Sequence, residues 1–340
     1  MANMTRNYID GFWAANSQRG MGRYVQMFSE TQNKTQISVK LWGFYPKILS
    51  YVIYVIWEQL ILQVVAKCKG ARELTYAYNS PPIVNLFGMT SCLILHDLIF
   101  FEHVSEQSLS TKLINLYRRL SSRYGLRNIS CVYCVSHATA TQFVGQFGYT
   151  GKVIVSPNRI KLSQYLQGQA DVFFADGSDV LNVCVITGIA PSKNLPFTLK
   201  LAEVSACRRL NVIFHIVGVR REQLSDVHEN VTLYENVAED VKNGLISCCD
   251  VLLFPSLQEG FGIPLIEAGL LKTPILCSDI GVFHEVCGDN ADYFDPTDVE
   301  ACYAALTEMH RSKILAGGDD ARDSVRLNAL YLKCREHYVY

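Results

Sequence analysis

Short apolar runs alternate with segments of helical periodicity along most of the chain. The predicted helices cover residues 111–123 and 197–209. The predicted strands are short runs of apolar and β-branched residues, several of them bounded by Gly or Pro, and they cover residues 93–95, 129–135, 152–155, 180–187, 211–217, 251–254 and 274–277. Strands that alternate with helices form parallel sheets, whose ligands bind at the carboxyl ends of the strands.

A polar, interrupted stretch separates two series of such elements. It covers residues 161–178 and contains Gly168 and Gly177. A new strand, loop and helix follow it, so this stretch predicts a domain boundary. We expect an amino-terminal domain over residues 1–165 and a carboxyl-terminal domain over residues 166–340. Each is expected to be a Rossmann-like, doubly wound α/β domain, with the pair facing a central cleft.

The most apolar stretch of the sequence runs from Ile48 to Trp57, and Glu58, Gln59 and Gln63 follow it. This is about half the length that a helix needs to cross a bilayer. The pattern therefore favours a core or amphipathic helix, and no transmembrane anchor is expected.

Composition argues against a protein that binds nucleic acid or anionic lipid through its overall charge. The chain has 340 residues, 31 basic and 32 acidic side chains and a formal net charge of −1. This balance gives no global attraction to nucleic acid or to anionic lipid, so any such contact must be local. The 12 cysteines are scattered, with no secretory signal at the start. They are expected to be reduced, as in cytosolic proteins.

The segment from Pro255 to Ala268 carries the clearest chemical pattern. Gly260 and Gly262 allow a tight turn and close approach of the backbone to a ligand. Pro264 suits the first turn of a helix, which places Glu259 in a loop and Glu267 about one turn into that helix. The helix amino terminus favours phosphate, and the carboxylates suit hydroxyl groups. By local physics alone, a plain strand–turn–helix with a capping Glu remains the alternative.

The stretch from Pro255 to Pro296 resembles the Glu-x7-Glu region of family-four glycosyltransferases, which have the GT-B fold. The resemblance implies that Glu259 contacts the donor sugar and Glu267 the nucleotide ribose. It also implies that Gly260, Phe261, Gly262 and Ile263 bind the donor, with the amides of Phe261 and Gly262 facing the sugar and diphosphate.

Other motifs extend this resemblance over nearly the whole chain. Gly20-Met-Gly-Arg-Tyr24 resembles the family's glycine-rich loop, which implies donor contacts by Gly22 and Arg23. Leu95-His-Asp-Leu98 resembles a His-Asp-Leu motif and implies that His96 is catalytic. Asp97, on the acceptor side, either orients the imidazole ring or caps a helix.

Thr187–Asn194 resembles the phosphate-binding loop of the same family and implies that Lys193 and Asn194 bind the donor. Lys193 would neutralise the leaving diphosphate if no metal does so. A solvated loop lysine is the alternative. The loop is shortened, and Ile189 and Ala190 stand where a basic residue is often found.

The helix with Arg118, Arg119 and Arg123 is a further candidate surface. Arg118 and Arg119 are predicted to lie on the acceptor side, touching a pyrophosphate-linked acceptor or anionic lipid. A solvated basic helix face is the alternative. The last helix, about 320–340, is expected to pack back on the amino-terminal domain.

The resemblance implies a retaining hexosyltransferase similar to mannosyl- and rhamnosyltransferases of bacterial O-antigen or capsule synthesis. GDP-mannose is the first expected donor, and a glycan, free or lipid-linked, is the expected acceptor. No cofactor or metal is expected, nor any nucleic-acid partner. A cytoplasmic location is expected, with possible peripheral contact at the inner membrane, and the sequence sets no oligomeric state. A sugar-nucleotide epimerase and a non-catalytic nucleotide-sugar-binding subunit remain alternatives.

Overall fold

The computed structural model of the chain describes residues 6–16, 20–40, 47–101, 109–162, 179–316 and 321–340. These residues divide into two compact units, Met1–Arg159 and Ile160–Tyr340. The predicted boundary at 165/166 lies outside the described residues, six positions beyond the observed division.

The first unit is built on six parallel strands in the order β2-β1-β3-β4-β5-β6. The strands are β1 (Asn7–Asp10), β2 (Thr35–Ile37), β3 (Glu73–Tyr76), β4 (Thr90–Leu95), β5 (Cys131–Cys134) and β6 (Lys152–Val155). The helices are α1 (Phe12–Asn16), α2 (Gly20–Thr31), α3 (Lys47–Ile56), α4 (Leu62–Cys68), α5 (Leu109–Gly125) and α6 (His137–Phe147).

The second unit repeats this architecture, with parallel strands in the order β12-β11-β10-β7-β8-β9. Its strands are β7 (Leu181–Ile186), β8 (Val212–Val217), β9 (Val231–Tyr234), β10 (Val251–Phe254), β11 (Ile275–Ser278) and β12 (Asp292–Phe294). Its helices are α7 (Leu195–Cys207), α8 (Glu239–Cys248), α9 (Ile263–Leu271), α10 (Gly281–Cys287), α11 (Val299–Ala316) and α12 (Ala321–His337).

Strand order in the second unit reverses direction between β7 and β10, because the chain builds β8 and β9 on one side and β11 and β12 on the other. This is the order of a dinucleotide-binding fold, and such a reversal opens a crevice at the carboxyl ends of the two strands. Val251 pairs with Val183 and Leu253 with Val185, so the loops after both strands leave the sheet side by side.

Each predicted strand is present: β6 and β10 match their predicted bounds, and the ends of the others shift by at most three residues. The predicted helix 111–123 is α5, and the predicted helix 197–209 begins two residues earlier, at Leu195. Strands β1, β2, β3, β9 and β12 were not predicted from the apolar pattern, because polar residues interrupt their apolar runs.

The apolar stretch forms a longer helix than its sequence suggested. A π-helical turn at Trp57–Ile61 joins α3 to α4, so the helix is continuous from Lys47 to Cys68. By length and composition alone, Leu49–Cys68 is the one helix in the described part of the chain that is long and apolar enough to span a bilayer. The polar residues that follow the apolar run in the sequence, Glu58 and Gln63, belong to this helix and are buried on one of its sides.

Helix α12 packs against α9 within the second unit. Gly269 of α9 lies directly under Leu330 and Cys334 of α12, and both of these side chains are fully buried. These contacts of the last helix fall within the second unit, and its packing on the first unit stays a prediction.

Candidate functional site

The loop after β7 positions Lys193. Asn194 has a left-handed backbone (φ 55°) and donates its side-chain amide to the carbonyl oxygen of Pro296 at 2.8 Å. The carbonyl oxygen of Ser192 accepts the backbone N–H of Leu257 at 2.8 Å. These bonds tie the loop to the neighbouring one, so Lys193 is held at the reversal point of the sheet.

Glu259 reaches the same point from the loop after β10. Its Oε1 lies 2.5 Å from Nζ of Lys193 and accepts the hydroxyl of Ser256 at 2.9 Å. Nζ of Lys193 also lies 5.4 Å from the centre of the Phe254 ring, within the range of a cation–π contact. The structure therefore brings together a cation and a carboxylate that the sequence separates by 66 residues.

Gly262 sets the start of α9. Its φ is 105°, a conformation that L side chains rarely adopt, and a Cβ there would lie 3.1 Å from the Phe283 ring. Phe261 beside it is buried against Tyr338, and Ile263 is the first helical residue. Pro264 has no N–H, and Leu265 donates its N–H to the carbonyl oxygen of Gly262 at 3.0 Å. The backbone around Phe261 and Gly262 therefore lies at a helix amino terminus, a position that favours phosphate.

Glu267 is buried in α9 and pairs with a residue that the sequence did not indicate. Its Oε1 lies 2.6 Å from Nζ of Lys242 in α8, and the side chains are 2% and 12% exposed. Lys242 also contacts Glu239 at 3.0 Å. Lys242 was missed because it sits in another helix, 25 residues away, with no motif around it.

In the first unit, His96 follows β4 and is buried. Its Nε2 lies 2.8 Å from the carbonyl oxygen of Ala77, so the neutral ring carries its proton there and donates to that oxygen. Burial lowers the pKa of His96 to about 4, with a smaller contribution from the nearby Arg118 charge. His96 is therefore neutral near pH 7. Its edge packs on the Tyr24 ring, with the centres 5.0 Å apart.

Asp97 acts as a turn cap. Its Oδ1 accepts the backbone N–H of Ile99 at 3.2 Å and the side-chain amide of Asn79 at 3.4 Å. The Ala77 carbonyl oxygen accepts a hydrogen bond from the His96 ring and fixes its orientation. Of the two roles left open for Asp97, this geometry favours the cap.

Arg118 and Arg119 are only half exposed, because both reach toward Phe100. Nε of Arg119 donates to the Phe100 carbonyl oxygen at 2.8 Å, and the Arg118 guanidinium lies 6.0 Å from the ring centre. The basic face expected from the sequence is thus partly used to fix the turn after His96. Arg123 on the same helix is exposed.

Gly22 and Arg23 lie inside the first turn of α2, which begins at Gly20. The prediction of a loop at residues 20–24 is therefore wrong, since these residues are helical. The first-turn amides of this helix still suit an anion or a sugar oxygen. Residues 17–19 before it lie outside the described residues.

Two buried carboxylates occupy the end of β1 and the π-helical turn. Oδ1 of Asp10 accepts the backbone N–H of Phe12 and the indole N–H of Trp57, at 2.9 and 3.0 Å. Glu58 accepts hydroxyl groups from Tyr54, Ser80 and Tyr117. Burial raises the pKa of Asp10 to about 7 and that of Glu58 to about 8.

Within the described ranges, no group of three or more His, Cys, Asp or Glu side chains is arranged to hold a metal ion. Cations at the candidate site come instead from Lys193, beside Glu259, and from Lys242, beside Glu267.

A family comparison fits this geometry. The family described as Glycosyl transferases group 1 matches residues 181–312, which include Lys193, Lys242, Glu259 and Glu267. The chain is a GT-B glycosyltransferase. Its enzyme class is that of the hexosyltransferases, as the sequence predicted.

Individual relatives extend the likeness beyond this domain. The glycosyltransferase is 23% identical to the O-antigen chain mannosyltransferase RfbU of Salmonella typhimurium, over 77% of this chain and 71% of RfbU. It is 32% identical to the serotype-specific mannosyltransferase WbdA of Escherichia coli, but over 32% of this chain and only 15% of WbdA.

Among solved structures, sucrose-phosphate synthase from Thermosynechococcus elongatus aligns with a TM-score of 0.69 at 14% identity. The alignment covers 97% of this chain and 96% of that one. At this identity the likeness confirms the predicted fold and nothing more specific.

Proposed function

We propose that the chain is a retaining glycosyltransferase that moves a hexose from a nucleotide-diphosphate sugar to a hydroxyl group of a glycan acceptor. GDP-mannose is the first donor we propose, and a lipid-linked repeat of a bacterial surface polysaccharide is the proposed acceptor. Likeness to the mannosyltransferases RfbU and WbdA supports the sugar and the pathway class.

The pairing of Lys193 with Glu259 at the reversal point of the second sheet carries this proposal. When a donor binds, the Lys193 ammonium would stabilise the negative charge that develops on the departing diphosphate. Glu259 would accept hydrogen bonds from hydroxyl groups of the sugar. Each group holds the other in position beforehand, so little reorganisation is needed when the donor enters.

The remaining donor contacts follow from helix α9. The backbone amides of Phe261 and Gly262 at its start would hold the diphosphate, and Glu267 would accept the ribose hydroxyls while its contact with Lys242 holds it in position. His96 would act as a neutral group, since burial holds its pKa near 4. Asn194, Gly260 and Phe261 would shape the loops around these groups.

We also propose that no metal ion takes part, because Lys193 supplies the positive charge that a metal would otherwise provide. Transfer should therefore persist in excess EDTA. A loss of activity in EDTA that Mg²⁺ or Mn²⁺ restores would contradict this part of the proposal.

The test is transfer from radiolabelled GDP-mannose, UDP-glucose or dTDP-rhamnose to a lipid extract, by the wild type, Glu259→Gln and Lys193→Met. We expect transfer from GDP-mannose and a fall of about 100-fold or more in each variant, the usual cost of losing a group that stabilises developing charge. Lys200→Met is the matched control, because Lys200 makes only an exposed ion pair with Glu203.

Three outcomes would contradict the proposal. Undiminished transfer by Glu259→Gln would refute the site. Conversion of the sugar nucleotide without an acceptor would indicate an epimerase, and donor binding without turnover would indicate a non-catalytic subunit.

A further inference from the structure

The continuous helix Lys47–Cys68 exposes its apolar side. Six aliphatic side chains on this helix are between 41% and 53% exposed: Leu49, Val52, Ile56, Leu60, Ile61 and Val64. A surface helix of a soluble protein normally turns such residues toward the core.

The polar residues of the same helix point the other way. Glu58 and Gln63 are fully buried, and Gln59 is half-buried. Gln63 accepts the backbone N–H of Leu86 at 3.0 Å and donates to the Val84 carbonyl oxygen at 3.0 Å. Gln59 accepts the backbone N–H of Ile83 at 2.9 Å. The helix therefore buries Glu58 and Gln63 alongside the apolar Tyr54 and Leu62 and exposes aliphatic side chains, a partial reversal of the usual polarity of a surface helix.

Helix α5 repeats this reversal. Its exposed residues, 43% to 69% accessible, are Leu109, Leu113, Leu116, Leu120 and Tyr124. Their spacing of three or four residues forms a single stripe along the helix. Asn115, Ser121 and Ser122 are buried instead.

The two helices lie side by side. Tyr117 of α5 donates its hydroxyl to Glu58, and Gln59 donates to the Tyr117 oxygen at 2.7 Å. The loop that bonds to Gln63 adds the exposed side chains of Val84 and Leu86. We call this combined surface of the two helices and the loop the aliphatic face.

The exposed charges on the two helices of the aliphatic face have one sign. Exposed cations on or beside the two helices are Lys67, Lys69, Lys112 and Arg123. The sequence contains no Asp or Glu over residues 109–130, and over residues 47–72 it contains only the buried Glu58. The whole chain has a net charge of −1, so this is a local concentration of positive charge.

We infer that the aliphatic face inserts into the surface of a bilayer containing anionic lipid, with α3–α4 and α5 lying in the plane of the interface. An exposed apolar surface of this kind marks an interaction site, and a rim of cations complements anionic headgroups. Spanning is disfavoured, because it would break the bonds of Glu58, Gln59 and Gln63 and place those groups in hydrocarbon. Lipid binding needs neither donor nor acceptor, so the inference goes beyond the proposed function.

Vesicle binding tests this inference on the full chain. The wild type should co-sediment with phosphatidylcholine vesicles that contain a quarter phosphatidylglycerol, and more weakly with pure phosphatidylcholine. Leu60→Gln with Leu116→Gln should reduce the partition coefficient at least tenfold. Lys112→Gln with Arg123→Gln should remove most of the difference between the two vesicle types.

The matched control is Leu315→Gln with Leu332→Gln, two exposed leucines on helices of the second unit. This control should bind vesicles like the wild type. Thermal melting should be the same for all variants, because every replaced side chain is exposed. Hydrolysis of the donor without lipid should also be unchanged, so failure of lipid binding is distinguishable from failure of the proposed reaction.

Equal vesicle binding by the wild type and the Leu60→Gln/Leu116→Gln variant would overturn the inference. So would a wild-type dimer in light scattering that this variant converts to a monomer, with no vesicle binding by either. That result would assign the aliphatic face to a second copy of the chain.

Discussion

At the scale of single residues, the candidate site contains two pairs of oppositely charged side chains in contact. Lys193 and Glu259 lie 66 residues apart in sequence, and Lys242 and Glu267 lie 25 apart, yet each pair is in contact. The sequence indicated three of these four residues through their motifs. It did not indicate Lys242, because a lysine inside a helix is ordinarily a solvated surface residue.

Lys242 is predicted to be a positioning residue for Glu267. In Lys242→Met a nearly buried carboxylate loses the ammonium group that contacts it at 2.6 Å, so Glu267 should no longer be held in position for the ribose. We expect GDP to bind at least tenfold more weakly at each of pH 6, 7 and 8, as measured by titration calorimetry.

Two further variants separate positioning from simple damage. Lys242→Arg keeps the charge and should restore most of the affinity. Glu239→Gln removes only the exposed partner of Lys242 and should change little. If Lys242→Met bound GDP as tightly as the wild type at each pH, the role assigned to Lys242 would be wrong.

Asp10 is predicted to make the stability of the protein depend on pH. Its pKa is about 7 in the folded chain against an ordinary 3.8, so its contribution to stability is full below pH 3.8 and is lost as pH rises through 7. Asn at this position does not titrate. From pH 5 to 8 the unfolding free energy of Asp10→Asn should therefore rise relative to the wild type, by about 2 kcal/mol.

Urea unfolding at pH 5, 6, 7 and 8 measures this difference. Asp226→Asn, at an exposed position, is the control and should keep a constant offset from the wild type. A constant offset for Asp10→Asn as well would show that Asp10 is ionised throughout this range.

At the scale of elements, periodicity predicted the strands that contain an uninterrupted apolar run and missed those whose apolar residues are interrupted by polar ones. Strands β10 and β6 match their predicted bounds, whereas the three-residue strands β2 and β12 gave no pattern. Glu58 and Gln63 follow the apolar run in the sequence, and the length of that run did not show whether the helix extends through them. They continue it, because Tyr54, Ser80 and Tyr117 and the backbone of residues 84–86 satisfy them in the interior.

Two helical glycines make the packing of α9 against α12 testable. A Cβ on Gly269 would lie 2.8 Å from Sγ of Cys334 and 3.0 Å from Cγ of Leu330. Gly269→Ala should therefore lower the unfolding free energy by about 1–3 kcal/mol, since the extra methyl overpacks the interface. Urea unfolding followed by circular dichroism would measure the loss.

Gly145 provides the matched control, because it is exposed in α6 and a Cβ there meets nothing within 4 Å. Gly145→Ala should raise the unfolding free energy by about 0.5–1 kcal/mol through the better helix propensity of Ala. If Gly269→Ala were at least as stable as Gly145→Ala, close packing of α12 on α9 would be refuted.

At the scale of the whole molecule, the sequence by itself determined that the chain forms two α/β units and placed the candidate site in the segment from Pro255 to Ala268. Both conclusions rest on local features: the period of apolar positions, and glycines, a proline and carboxylates at fixed spacing. Such features can be recognised in the sequence because they involve residues close together in the chain.

Only the tertiary structure decided which distant groups meet. Strand order places the ends of β7 and β10 together and so pairs Lys193 with Glu259, while the packing of α8 on α9 supplies Lys242. Packing also decided that α3–α4 and α5 bury their polar sides and expose aliphatic ones. Periodicity reveals that a helix has two faces, but which face is buried depends on the partners that folding brings to it.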